Sequence, residues 1–204
     1  MMTNRRATCV AAFACALALA GCASSPIEHF YTVSSVEAKP GQVPSSGGIA
    51  GERLIAVLLV TVPALIDRPQ LVVRTSAHEV GILENHRWAE PLAADLTRAL
   101  IASLQHSGAG LDFESAEATQ AKKAEQVLEV DITELLSGPG PVTSLQASWV
   151  LHDRSHTAVR QGDFAMKIPT QGGYQAIADG YADAIAQLAE AIVREVRSEP
   201  DRPH

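Results

Sequence analysis

Residues 63–104 read PALIDRPQLVVRTSAHEVGILENHRWAEPLAADLTRALIASL, and three local patterns follow one another in them. Pro63, Asp67, Arg68 and Pro69 make a proline-bracketed turn, because proline has no N–H to give a helix and restricts the residue before it. Two β-rich runs come next, residues 70–75 and 79–84. Ser76, Ala77 and His78 separate them, a hairpin spacing. Leu92, Leu96, Leu100 and Leu104 then recur at every fourth position, with Ala99 and Ser103 widening the stripe, which predicts a helix with one apolar face. Pro91 fits only the first turn of that helix, so the helix is expected to begin within residues 88–91.

Working outward, residues 54–62 (LIAVLLVTV) form an apolar run rich in β-branched side chains, too short to span a bilayer. It predicts a central strand buried on both faces. Downstream, Leu128, Val130 and Ile132 alternate with polar residues, as do Leu145, Ala147, Trp149 and Leu151, and then Phe164, Met166 and Ile168. Period two predicts antiparallel strands with one face covered. Turns are expected at residues 138–141 and 153–156, a short strand at 111–113, and a helical turn within 114–125. Residues 173–197 carry Tyr174, Ile177, Tyr181, Ile185, Leu188, Ile192 and Val196 at helical spacing. Asp179 early and Arg194 late suit the dipole of that helix. The expected class is α+β: a mixed or mostly antiparallel sheet of about six or seven strands, with two main amphipathic helices packed on one face.

The N-terminus reads as a leader rather than as fold. Arg5 and Arg6 precede a small and apolar run that ends Leu19-Ala20-Gly21-Cys22. That ending matches a lipobox, with cleavage expected before Cys22 and acylation of its thiol by diacylglycerol, followed by an N-acyl chain. Cys9 and Cys15 leave with the leader, so the remaining chain has one cysteine and forms no internal disulfide. The whole chain has 204 residues and a formal charge of −7. The leader holds two of its basic residues and none of its acidic ones, so the exported chain is more acidic still. An acidic body argues against nucleic acid and against a basic patch for anionic headgroups. Attachment therefore falls to the lipid, for which two acyl chains are adequate. Ala23, where an aspartate would by the enteric sorting rule retain the protein in the inner membrane, favours the outer membrane and its periplasmic face. Residues 22–29 read as a short tether, residues 30–197 as one domain, residues 34–51 as a flexible loop, and residues 198–204 as a frayed tail. Phe30-Tyr31-Thr32-Val33 is expected to be the first strand, which keeps the domain close to the bilayer.

Phe30-Tyr31-Thr32 soon after a lipidated cysteine, the turn from Pro63 to Pro69, Arg74-Thr75, and Arg87-Trp88-Ala89-Glu90-Pro91-Leu92 occur here in order. This ordered set resembles the ABC-type transport auxiliary lipoproteins, the PqiC-like family, over nearly all of the exported chain. The resemblance implies a non-enzymatic accessory subunit of an envelope lipid transport system. Its implied partners are mammalian-cell-entry-domain (MCE, PqiB-like) proteins, and self-association, including into a ring, is implied as well.

Nothing in the sequence supplies a catalytic centre. No Gly-x-Ser-x-Gly elbow, phosphate loop or dinucleotide fingerprint is present. An acylated Cys22 has no thiolate to offer. His152 and His156 flank Asp153, but on a strand and turn the i,i+4 spacing does not align two metal ligands as on a helix. No cofactor beyond the Cys22 lipid is expected. Five residues remain as docking candidates: Asp67, Arg68, Arg74, Arg87 and Trp88. Asp67 and Arg68 either cap the turn and decorate the surface or dock another subunit. Trp88 either packs the start of the helix or, if exposed, anchors an interface. A stand-alone lipid binder with an apolar cavity between sheet and helices is the second reading.

Overall fold

The computed structural model describes residues 26–34, 53–108, 110–138, 142–170 and 172–198. The leader, Cys22, nearly all of the 34–51 loop, the tip of the 138–141 turn and the tail beyond Ser198 lie outside them.

The order of elements is β1 (His29–Tyr31), β2 (Arg53–Val57), β3 (Gln70–Ser76), β4 (Glu79–Trp88), α1 (Leu92–Ser107), β5 (Leu111–Ser115), a 3-10 turn (Thr119–Lys123), β6 (Gln126–Ser137), β7 (Val142–Asp153), β8 (Ala158–Pro169) and α2 (Gln175–Arg197). All eight strands belong to one mixed sheet. The α+β class and the two helices match expectation. The sheet has eight strands, slightly more than the six or seven expected.

β6 organises the sheet. One of its edges pairs antiparallel with β7 along its whole length, and β7 pairs with β8. The other edge is shared. β2 runs parallel to residues 126–128 of β6 and carries β5 on its far side, whereas β3 meets β6 at Val73 and Ser137 and carries β4 and then β1. The sheet thus forks at β6 into two short wings.

Period-two patterning explains why the long strands form and which face they bury. Leu128, Val130, Ile132 and Leu135 of β6 and Leu145, Ala147, Trp149 and Leu151 of β7 are buried. Ile177, Tyr181, Ala184, Ile185, Leu188 and Ile192 of α2 join the same core, and α1 lies against α2 and adds Leu92, Leu96, Leu100 and Leu104. Each large side chain fully withdrawn from water contributes roughly 1.5–3 kcal/mol, which the ordering of the chain largely offsets. Alanines and Gly180 let α2 come close to the sheet. A methyl group at Gly180 would collide with the Thr170 methyl and the Thr143 hydroxyl. The Tyr181 hydroxyl donates to the carbonyl of Leu135 at 2.9 Å, so this buried phenol is satisfied.

Three expectations need correction. Residues 54–62 are not one strand buried on both faces. The regular strand ends at Val57, and Leu58 and Leu59 are exposed at 37% and 58%. The chain continues along β6 through Leu58 N–H to Leu128 O and Thr61 N–H to Val130 O, but between these Val60 turns inward and gives its N–H to Thr97 Oγ1 of α1 at 2.9 Å. A neighbouring helix thus takes a donor that a regular ladder would use. Tyr174 does not belong to the buried stripe of α2: it precedes the helix and is 44% exposed. Residue 88 ends a strand rather than starting a helix, because β1 supplies a parallel partner for the last part of β4, and Pro91 stands just before α1.

Candidate functional site

The segment after β1 is clasped by a buried carboxylate. Asp95, in the first turn of α1, is fully buried. It accepts hydrogen bonds from Val33 N–H at 2.6 Å, Ser34 N–H at 3.1 Å, the Ser34 hydroxyl at 2.5 Å and the Thr32 hydroxyl at 3.0 Å. Arg98, which also pairs with Glu90, adds a contact at 3.2 Å. Burial alone pushes the carboxyl up. The Ser34 hydroxyl, the two backbone N–H groups and the Thr32 hydroxyl outweigh it, and the acid is held below the usual carboxylate range. The sequence carries a sign of this: position 95 falls on the apolar face beside Leu92, Leu96 and Ala99, where an aspartate must find donors.

Beside the clasp lies an aromatic–imidazole stack. The rings of His29 and His86 are parallel within 10° and 5.1 Å apart, and Tyr174 lies 3.8 Å from His86 between centroids. The Tyr31 hydroxyl is 2.8 Å from His86 Nδ1, within hydrogen-bond distance. Burial, and then the charge of His29, lower the His86 pKa. Burial and Tyr174 raise that of Tyr31. On the opposite face of β1 and β4, Phe30 is 60% exposed between Glu28 and Arg87, which pair at 3.4 Å.

The five docking candidates separate. Trp88 is core: it is 5% exposed, its ring packs 5.3 Å from that of Tyr181, and its backbone N–H donates to Pro69 O at 2.7 Å. Its role is to join the wing to α2, and its ring is not available at the surface. The 63–69 turn is closed by backbone bonds from Ile66 and Asp67 to Pro63 O and from Arg68 to Ile66 O. The Asp67 carboxylate takes no hydrogen bond among the described residues and so does not cap the turn. Arg68 is half-buried, and its Nε has no partner among the described residues. Arg74 pairs with Glu134 of β6 at 3.0 Å, and Arg87 also donates to Glu84 O. Arg74 lies opposite Val80 and Arg87 opposite Phe30. Those β4 positions are seven residues apart, about 23 Å along a strand, so the two arginines mark different ends of the wing.

The free end of the β3–β4 hairpin has an apolar surface that the motif reading misses. Val80 is 38% and Ile82 41% exposed. They sit opposite Arg74 and Val72 on the face that also carries the Arg74–Glu134 pair. Leu65, 39% exposed, lines a small recess of about 160 Å³ with Pro63, Ile66, Arg74, Glu134 and Leu136.

A broader recess of about 730 Å³ opens to solvent where Ala99 and Ala102 of α1 face Ala182 and Ala186 of α2, beside Thr32, Val33 and Ser34. It is a surface groove between helices, not a cavity between helices and sheet. At the β7–β8 turn, the Asp153 carboxylate accepts from Ser155 N–H, the Ser155 hydroxyl and Thr157 N–H, and His152 pairs with Glu129 at 3.5 Å. These side chains serve the turn and the strand face. No group of three His, Cys, Asp or Glu side chains among the described residues is placed to hold a metal. No helix among them is long and apolar enough to cross a membrane.

The geometry is that of a forked α+β domain whose leading segment is clasped to its first helix. The model of the family described as the ABC-type transport auxiliary lipoprotein component matches residues 31–193, and the chain belongs to that family. It is 28% identical over 187 residues to the intermembrane transport lipoprotein PqiC of Escherichia coli K12, covering 91% of this chain and 95% of that protein. The PqiC of Shigella flexneri matches to the same extent. Among solved structures, an uncharacterized protein superposes with a TM-score of 0.69 at 21% identity, over 84% of this chain and 99% of its own. A Xanthomonas campestris protein does so with a TM-score of 0.57 at 19% identity, over 69% and 81%. These two likenesses speak to the fold.

Proposed function

We propose that this protein is an outer-membrane lipoprotein, held on the periplasmic face by acyl chains on Cys22, and that it docks the periplasm-spanning component of an MCE-type intermembrane lipid transport system. The observation that carries this reading is the family match together with near full-length similarity to a lipoprotein named for intermembrane transport. Two features support it. The Asp95 clasp secures to α1 the segment directly after β1, the strand that a tether from Cys22 would lead into. The free end of the β3–β4 hairpin exposes Val80 and Ile82 beside the Arg74–Glu134 pair, apolar side chains next to polar ones of the kind that protein partners bury. Self-association, as a ring or otherwise, belongs to the same reading. Catalysis has no part in it.

The test is affinity capture from detergent-solubilised envelopes. An MCE-domain protein is expected to co-purify with the wild-type chain, and its consistent absence overturns the docking role. Mass analysis of the exported protein checks the anchor: an unmodified sulfur at position 22 removes it.

A further inference from the structure

Three exposed apolar or aromatic side chains lie where the tether reaches the domain. Ile27 is 78% and Phe30 60% exposed, and Tyr174 is 44% exposed. Ile27 and Phe30 are carried by the leading segment itself. Tyr174 comes from the far end of the sequence, but its ring lies on His86, which is stacked on His29 of β1. The Asp95 clasp holds the segment directly after β1 against α1, so the strand that the tether leads into is fixed to the body of the domain.

We propose that this end of the domain rests in the headgroup region of the bilayer that holds Cys22, with Ile27, Phe30 and Tyr174 entering the interface. The inference rests on the Cys22 anchor of the preceding reading. Length selects the occupant. At no more than about 3.3–3.6 Å per residue, Ile27 lies within roughly 18 Å of Cys22 and Phe30 within roughly 29 Å, even with the tether fully drawn out. A relaxed tether brings both nearer, and the headgroup zone itself is about 5–8 Å deep on each side. A soluble partner would have to wedge into that gap, whereas the lipid surface is already there. The chemistry fits. Tyrosine, with an apolar ring and a polar tip, suits the water–lipid boundary. Glu28 and Arg87, beside Phe30, neutralise each other. The contact also fixes orientation: with β1 at the bilayer, the domain cannot swing about its anchor to bring an arbitrary face to the membrane.

Thiol labelling tests this on the lipidated protein, because the exported chain has no cysteine besides Cys22. Spin labels are placed by Ile27→Cys, Phe30→Cys and Tyr174→Cys, with Val80→Cys and Val159→Cys as controls, and circular dichroism verifies the fold of each. The protein is reconstituted into phosphatidylethanolamine–phosphatidylglycerol vesicles after intact mass has established its acylation. Labels at 27, 30 and 174 are expected to lose accessibility to a water-soluble nickel relaxer several-fold relative to the unanchored domain, with those at 80 and 159 unchanged. Acylated, vesicle-bound protein whose labels at 30 and 174 stay as accessible as the controls overturns the inference and leaves the anchor intact. So does shielding that arises only when an MCE-domain protein is added. Protein without acyl chains at Cys22 overturns the anchor, and this inference with it.

Discussion

Asp95 combines two roles that usually compete. A fully buried carboxylate is costly, yet here it gathers two backbone N–H groups, two hydroxyls and a guanidinium. Replacing it with alanine leaves the N–H groups of Val33 and Ser34 without acceptors in a dry environment. Asp95→Ala should lower stability by roughly 2–3 kcal/mol, read as a reduced urea midpoint, with faster hydrogen exchange at residues 32–34. Because its folded pKa is depressed, its contribution is fully present above the ordinary aspartate pKa and is lost as pH falls through the folded value. His86 works the same way in a different range. Its pKa is also lowered on folding, so its neutral form favours the native state above about 6.5, and that preference fades as acid charges the ring. An NMR titration should place His86 below the ordinary histidine value. A charged ring faces the Tyr31 oxygen only as a donor, so the Tyr31 ring signals should shift at the same midpoint. A His86 midpoint at or above the ordinary value contradicts the packing described.

At the scale of elements, patterning foretells the long strands and both helices because their apolar residues keep strict periods over many turns. It fails where a tertiary partner changes the rules. The run after Val57 departs from the ladder because Thr97 captures the Val60 N–H. Gly180 reads locally as a weak point in a helix, whereas in the packed molecule it is the place where α2 comes nearest Thr143 and Thr170. Alanine, better for an isolated helix by about 1 kcal/mol, should therefore destabilise this one. Overpacking of about 1–3 kcal/mol is expected for Gly180→Ala, visible as a lower melting temperature. An unchanged or higher melting temperature would show that α2 shifts without strain.

At the scale of the whole molecule, the resemblance carried by ordered short motifs holds, since the family match spans most of the chain. The surfaces are less legible. Motif residues draw attention to Trp88, which is buried in the core, and to Arg74 and Arg87, which already hold ion pairs. Val80 and Ile82 look like any alternating strand residues, yet both are exposed. If the hairpin docks the spanning component, Ile82→Glu should fold normally and lose at least ten-fold in capture of the MCE-domain protein, while Val159→Glu on the β8 edge leaves capture unchanged. Equal capture by both variants would move the docking surface elsewhere.

The fork at β6 also has a mechanical meaning. Tension arriving through the proposed anchor is applied to a three-residue strand whose neighbours belong to the smaller arm of the sheet, and that arm touches β6 through little more than Val73 and Ser137. The long β6–β7–β8 meander meets that arm through this short pairing, the Arg74–Glu134 ion pair and the packing of Trp88 on Tyr181. If Cys22 carries the load, β1 and the Asp95 clasp come under strain before the long meander does.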